Sequence, residues 1–308
     1  MKDYELRPTL RQMQYLVAIA DTGKFGDAAR ALNVSQPSLS AQVAEMEASL
    51  GVQLVERSRR GAMLTVAGEE LVRRARNILR EVEDLKAVAK FGRAELSGRL
   101  RLGVLPTVGP YLLPSASREL HKRFPDLRLS VREERTVDLD EHLQAGEFDT
   151  IISSAIDHEN VHHEPLFSER LYVCAPAEDP LSQGEGPVRL KELKGHSLLT
   201  LGQGHRLHAI IREVAAASGA VVSSEYEGTS LDAIRLMAEM GAGVAILPSL
   251  YALSEARRDR GLNARMIDHP LARREISLIW RDTSPLAAGL LALAAPLRSA
   301  ADKILRHE

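Results

Sequence analysis

Ser35, Gln36 and Ser38 in "NVSQPS" precede an arginine cluster, Arg57, Arg59 and Arg60 in "VERSRRG". Glutamine can make paired hydrogen bonds to an adenine edge, serine can meet bases or phosphates, and arginines neutralise phosphates. A second set of polar side chains sits later, each where a strand-like run gives way to a helix-like one: Thr107 in "LPTVGPYL", Thr136 in "ERTVD", Ser153 and Ser154 in "ISSAI", His205 and Arg206 in "GQGHRLH", Thr229 and Ser230 in "EGTSLD". Singly, each of these fits a helix cap. Together, at one edge of the predicted sheets, they fit a ligand site. Arg206 adds positive charge where helix N–H groups converge, a combination suited to an anion. The same side chain could equally cover the helix end or pair with Glu225 or Glu227.

The first set needs a helical frame. Apolar residues recur at Leu10, Met13, Leu16, Val17 and Ile19/Ala20, a face of period near 3.6, and Gly23 ends it. "FGDAARALN" forms a second short helix with Asn33 at its C-terminal end. Either Ser35 or Ser38 caps the third, with Pro37 tolerated in the first turn; Leu39, Val43, Met46 and Leu50 face inward as far as Gly51. Two helices about a polar elbow, followed by a basic hairpin, make a winged helix-turn-helix. The competing reading is a plain three-helix bundle with a solvated basic loop.

"YLVAIADTGKFGDAARALNVSQPSLS", continuing through "LGVQLVERSRRG" to "LTVAG", resembles the N-terminal domain of LysR-type transcriptional regulators. The resemblance implies DNA contacts at Ser35, Gln36, Pro37, Ser38, Arg57 and Thr65. From Val66 to about Ala94 small and apolar residues fall at Leu71, Ala75, Ile78, Val82 and Leu85, a heptad seam on a helix roughly 40 Å long at about 1.5 Å per residue. A second copy of the chain is the expected partner for that seam, giving a homodimer or homotetramer; the chain's own second half is the other.

Past Ser97 strands alternate with helices, which implies α/β architecture with largely parallel sheets and ligands in the cleft beyond the strand ends. The expected organisation is α+β multidomain: a DNA-binding domain over 1–66, a linker helix over 67–96 and a periplasmic-binding-protein-like effector domain over 97–308. Within the last, one subdomain takes 97–168 and 269–308, the other 169–268. The effector residues expected are Thr107, Thr136, Ser154, His205, Arg206 and Thr229. "LRLGVLPTVGPYLLP" and "GQGHRLH" extend the resemblance to the OxyR peroxide sensors, whose G-H-C-L-R segment carries a reactive cysteine. Here Arg206 stands in that place, and the second redox position falls near Ala215. A guanidinium has no thiolate chemistry.

Bulk properties limit the alternatives. The 308 residues carry a net charge of −2, 44% hydrophobic and 27% charged side chains, and one cysteine, Cys174. No internal disulfide or four-cysteine zinc site is possible. The N-terminus lacks an apolar signal core and no run reaches the roughly 18 apolar residues of a membrane span, which points to the cytoplasm. His158, His162 and His163 in "DHENVHHE" read as a solvated loop rather than a metal site, "MGAGVAILP" misses dinucleotide spacing, and "GHSLL" lacks a nucleophile elbow. No cofactor, metal or enzymatic constellation is expected. The chain reads as a regulator of double-stranded DNA gated by a small, anionic effector. The alternatives are an oxidative-stress regulator without a thiol switch, a constitutive regulator, a solute-binding protein or an enzyme on the same fold.

Overall fold

The computed structural model describes residues 7–58, 61–90, 96–176, 178–228, 230–256 and 264–306, with the side chains of residues 57, 58, 80, 83, 84 and 86–90 excepted. Arg59, Arg60 and Thr229 lie outside the described residues, as does the side chain of Arg57. Two compact units divide near residue 92.

In the first unit, α1 (Leu10–Thr22) starts from a Thr9 capping box and stops where Gly23 turns left-handed at φ 68°. α2 (Phe25–Ala31) is followed by Asn33 at φ 53°. α3 (Gln36–Leu50) is capped by Ser35, whose hydroxyl accepts from the Ser38 N–H at 3.3 Å, so the cap falls to Ser35 and not Ser38. The hairpin β1 (Val55–Ser58) and β2 (Gly61–Leu64) follows, antiparallel, and then α4 (Val66–Lys90). Met13, Leu16, Ile19, Ala28, Leu39, Val43, Met46, Leu54, Val72 and Ala75 form the core. Leu10 and Leu50, expected on the buried faces, are exposed at 41% and 37%. Both sit at helix ends, beyond the reach of the neighbouring helices. A Cβ at Gly68 would lie 2.1 Å from the Leu54 carbonyl oxygen, so only glycine lets α4 start this close to the hairpin.

The seam on α4 splits. Ala75 and the neighbouring Val72 are buried against the unit's own core, and Leu71 packs on its edge. Ile78 and Leu85 are exposed, and Val82 is half-buried. Its first turns are therefore occupied by the unit's own helices, while Ile78 and Leu85 face outward.

The second unit repeats one pattern twice. β3 (Gly98–Val104), α5 (Gly109–Arg123), β4 (Leu127–Glu133), α6 (Thr136–Gln144) and β5 (Thr150–Ser153) are followed by a 3-10 turn at Ala155–Asp157. β6 (Val161–Cys174), α7 (Pro180–Gln183), β7 (Val188–Arg189) and a second 3-10 turn (Leu190–Leu193) lead to the repeat: β8 (Ser197–Leu201), α8 (Arg206–Ser218), β9 (Val221–Gly228), α9 (Leu231–Glu239) and β10 (Val244–Pro248). α10 (Ser249–Ala256), β11 (Ala264–Asp268), β12 (Arg273–Arg281) and α11 (Ala287–Leu305) complete the described elements. Strand order is β4-β3-β5 in the first set and β9-β8-β10 in the second, all parallel. The strands joining them are antiparallel: β12 pairs with β5 and β6, and β6 with β10 and β11. The sheets are parallel only in their outer parts.

Two hydrophobic cores result. On β6 the change of core falls between Leu166 and Leu171, and on the return between Ala272 and Ile276. At that crossing Arg274 of β12 sits opposite Glu169 of β6 in antiparallel register. Its Nε donates to Glu169 Oε1 at 2.7 Å, its Nη2 donates to Thr107 Oγ1 at 2.9 Å, and the Leu250 N–H donates to Glu169 Oε2 at 3.1 Å. Both charged side chains are almost wholly buried, at 2% and 0% exposure. A buried ion pair needs its remaining donors and acceptors met, and here both carboxylate oxygens and the Nε and Nη2 of the guanidinium are.

Removing one partner strands the other charge. Arg274→Met should destabilise the protein by roughly 3–5 kcal/mol, and the double variant Arg274→Met/Glu169→Met should recover part of that loss. Denaturant unfolding followed through the lone tryptophan, Trp280, in the neighbouring core measures both. Equal stability of wild type and Arg274→Met would remove this pair from the hinge.

Candidate functional site

The helix-turn-helix edge is built from the third helix. Ser35, Gln36, Pro37 and Ser38 are all exposed on the first turn of α3, which leaves their side chains available to a partner. Ser35 spends its acceptor on the cap and keeps its O–H. Gln36 lies over Gly26 of α2; a Cβ there would come within 3.2 Å of Gln36 Oε1. Glu47, at the other end of α3, accepts from the Leu54 and Val55 N–H groups at 2.7 and 3.0 Å and so ties the hairpin to the helix. Glu45 gathers Gln12, Gln42 and Arg7 and holds α1 to α3. Neither Gly26 nor these two glutamates stood out by spacing; an inward-turned carboxylate has no one-dimensional signature. Thr65, for which the resemblance implied a DNA contact, also has an internal role. Its hydroxyl donates to the Gln53 carbonyl at 2.8 Å and accepts from the Gly68 N–H at 3.0 Å, so it caps α4.

In the second unit the strand ends of both repeats face one cleft, as order reversal beside β3 and β8 requires. The larger of its two hollows, about 750 Å³, is lined by Glu133, Glu134, Arg135, Gln203, His205 and Glu227 among others. The smaller, about 510 Å³, takes in Thr136, Asp140, Asp157, His205, Arg206 and Arg212. Both volumes suit a small ligand. In the larger hollow charges are mostly consumed: Arg135 forks onto Asp138 at 2.6 and 2.9 Å, His142 Nδ1 lies 2.5 Å from Glu134, and Glu227 accepts from the Gln203 N–H at 2.9 Å. Burial raises the pKa of Glu133 there.

Arg206 is the first residue of α8, with His205 as the cap residue. Its N–H donates across the cleft to Thr136 Oγ1 at 3.0 Å, and its Nη1 lies 3.3 Å from Asp157 Oδ1. Beside them the Val137 N–H reaches the Gly204 carbonyl at 3.4 Å. Arg206 thus pairs with Asp157, contrary to the alternative of Glu225 or Glu227. The pair is loose: Asp157 Oδ2 is buried with no hydrogen-bond partner, and burial raises the Asp157 pKa despite the opposing pull of Arg206. Burial likewise lowers the His205 pKa, helped by Arg135, which favours a neutral imidazole.

Thr136, His205 and Arg206 are therefore brought together. Thr107 is not; it is buried beside Arg274, from which its hydroxyl oxygen accepts, and it lines neither hollow. Ser154 is buried without a partner for its hydroxyl and lines neither hollow. Asp157 was missed, although it follows Ser154 closely in "SSAIDH"; only folding turns it toward Arg206.

Of the histidine group expected to be a solvated loop, His162 and His163 are exposed but His158 is not. His158 has no side-chain exposure: Nδ1 lies 2.9 Å from Asp140 Oδ1 and Nε2 2.9 Å from Ser153 Oγ. His162 and His163 lie on β6. Among the described residues no set of three His, Cys, Asp or Glu is placed to hold a metal. Ser153, His158 and Asp140 have the order of a nucleophilic relay, but Ser153 is fully buried and no substrate could reach it. Among the described residues no helix is long and apolar enough to cross a membrane.

Residues 10–69 match the family model described as a bacterial regulatory helix-turn-helix protein of the lysR family, and residues 93–302 match the LysR substrate binding domain. The chain is 37% identical over 294 residues to the DNA-binding transcriptional dual regulator OxyR of Escherichia coli K12, covering 95% of this chain and 96% of that protein. It is similar to a full-length OxyR variant from Pseudomonas aeruginosa, at 32% identity and TM-score 0.75, over 94% and 97% of the two chains. It is also similar to full-length CbnR complexed with its target DNA, at 25% identity and TM-score 0.67, over 94% and 99%.

The peroxide chemistry of a thiol has no place to occur at Arg206. Ala215, near the second redox position, is buried on α8. Cys174 is buried on β6 and its pKa is pushed up to about 11, chiefly by burial and then by Glu239. A thiolate forms only as pH rises toward that value. A maleimide or thiol-exchange reagent at pH 8 should leave Cys174 intact in the native protein and label it in denaturant; rapid native labelling would contradict its burial.

Proposed function

The chain belongs to the LysR family of bacterial DNA-binding transcriptional regulators, and we propose that it is a homo-oligomer gated by a small anion bound at Arg206. The supporting observation is the Arg206–Asp157 contact. A guanidinium in a sheltered cleft meets a carboxylate through one 3.3 Å approach, while that carboxylate's other oxygen is unmet. An anion offering two oxygens would form the forked, charge-assisted pair that Asp157 does not. It would displace Asp157, whose burial favours the protonated form. The first turn of α8 adds N–H donors and its dipole. Because Thr136 and Asp157 belong to one core and α8 to the other, exchanging Asp157 for a ligand alters how the two halves of this unit are joined.

The relatives named as hydrogen peroxide-inducible activators raise the reading of a peroxide response. With Arg206 and Ala215 at the redox positions and Cys174 buried, such a response would need chemistry other than a thiol pair. Oligomerisation fits Ile78 and Leu85, apolar and exposed along α4, which a partner helix would cover.

On DNA, the exposed first turn of α3 reads bases. Gln36→Ala and Ser38→Ala should each weaken operator binding by ~1–3 kcal/mol and leave nonspecific binding nearly unchanged. Arg57→Ala should weaken binding to every sequence and flatten the salt slope. Equal losses for Gln36→Ala on operator and random DNA, measured by titration at two salt concentrations, would show that α3 does not read sequence.

Arg206→Ala should cost about 2–3 kcal/mol in anion binding. Asp157 carries the opposite sign. Its carboxylate competes with the anion above its raised pKa and ceases to as pH falls through it, so affinity should climb toward acid pH. Asp157→Asn should bind more tightly at neutral pH and lose that climb. Calorimetry against a panel of metabolic acids decides; a preferred ligand that is neutral, or equal binding by wild type and Arg206→Ala, sinks the proposal.

A further inference from the structure

We infer that His158 is the positioning residue for the Arg206–Asp157 contact, acting through Asp157 on the closure of the cleft; its bearing on ligand affinity rests on the reading of Arg206 given above. Asp157 is not placed by its own interactions. One oxygen makes a single long contact, the other is buried with no partner, and burial penalises the charge. A carboxylate free to turn would find water. The backbone carrying it must therefore hold it in place.

That backbone is the 3-10 turn Ala155–Asp157, closed by Asp157 N–H to the Ser154 carbonyl at 3.1 Å and His158 N–H to the Ala155 carbonyl at 3.2 Å. Ile156 points to solvent, 79% exposed, and Ala155 is only partly buried, so neither anchors the turn firmly. His158 directly follows, wholly buried, and reaches Ser153 of β5 on one side and Asp140 of α6 on the other, each at 2.9 Å. α6 matters for a second reason. Its first residues, Thr136 and Val137, meet Arg206 and Gly204 across the cleft. Asp140 lies one turn further along the same helix. Two pieces of the first core thus touch the N-terminus of α8: the start of α6, and the turn that carries Asp157. One imidazole joins them. A residue that only filled space would need neither polar partner; this one has one ring nitrogen on α6 and the other on β5, the strand from which the turn carrying Asp157 leaves.

The Arg206 N–H reports on this closure directly. As the first residue of α8 it has no intrahelical acceptor, and its hydrogen bond goes to Thr136 across the cleft. Amide hydrogen exchange on the full chain, without added ligand, should show Arg206 exchanging about tenfold faster in both His158→Ala and Asp157→Ala, because each opens the same local contact. The double variant should be no faster than the faster single, since His158 acts through Asp157. Amides of Leu102 on β3 and Leu199 on β8 should keep their wild-type rates. Additive acceleration, or an unchanged Arg206 rate in His158→Ala, would overturn the assignment. Should His158→Ala also loosen Leu102 and Leu199, His158→Gln, which can keep one partner, is read instead; acceleration confined to Arg206 supports the assignment and its absence refutes it. No anion enters this measurement, so a chain that bound none could still pass it.

Discussion

The buried Arg274–Glu169 pair is the constraint on which the second unit depends. The two hydrophobic cores have no fully buried side chain in common, and only the partly buried Tyr111 and Leu253 pack against both, so apolar packing leaves the joint between them lightly specified. The ion pair fills that joint. It links β12 to β6 by register, reaches the start of α5 through Thr107 and the start of α10 through the Leu250 N–H. Both carboxylate oxygens and two of the three guanidinium nitrogens have partners, and such pairing is what lets a desolvated pair specify geometry rather than oppose folding. A side chain that looked available for a ligand, Thr107, is spent in that pairing.

With the joint held at one place, the cleft is free to be closed or opened by weak contacts elsewhere. Those contacts are the Thr136, Val137 and Asp157 interactions with the loop and first turn of α8, at 3.0 to 3.4 Å. None is strong alone, and Asp157 is poorly satisfied. A ligand that replaces such contacts shifts an equilibrium only by its differential affinity for the two states. At these contacts a guanidinium offers only reversible ion pairing.

The DNA-binding unit follows a different economy of contacts. Its outward polar edge is exposed, and its inward carboxylates are used internally: Glu47 positions the hairpin and Glu45 fastens α1 to α3. Thr65 belongs with these internal ties. Gln36 and Ser38 stay exposed on the outward edge, with Gly26 leaving room for the glutamine to lie across α2.

Much was determined by the sequence alone, because it rests on local physics. Helical period, the serine cap before Pro37, the glycine stops and the alternation of strands with helices are short-range signals, and they yielded the helix-turn-helix and the repeated α/β pattern. The single cysteine and the arginine at the redox position excluded a thiol pair without any coordinates. Tertiary structure decided what each polar side chain does with its hydrogen bonds. Thr107, Thr136 and Ser154 occupy similar strand-end positions, yet one serves the buried ion pair, one caps Arg206 across the cleft and one is left without a partner. Asp157 and His158 sat in a stretch that reads as polar loop until folding buries the imidazole and turns the carboxylate toward residue 206. Such roles depend on residues 49 and 70 positions apart meeting at hydrogen-bond distance, and no periodicity in the chain encodes a meeting at that separation.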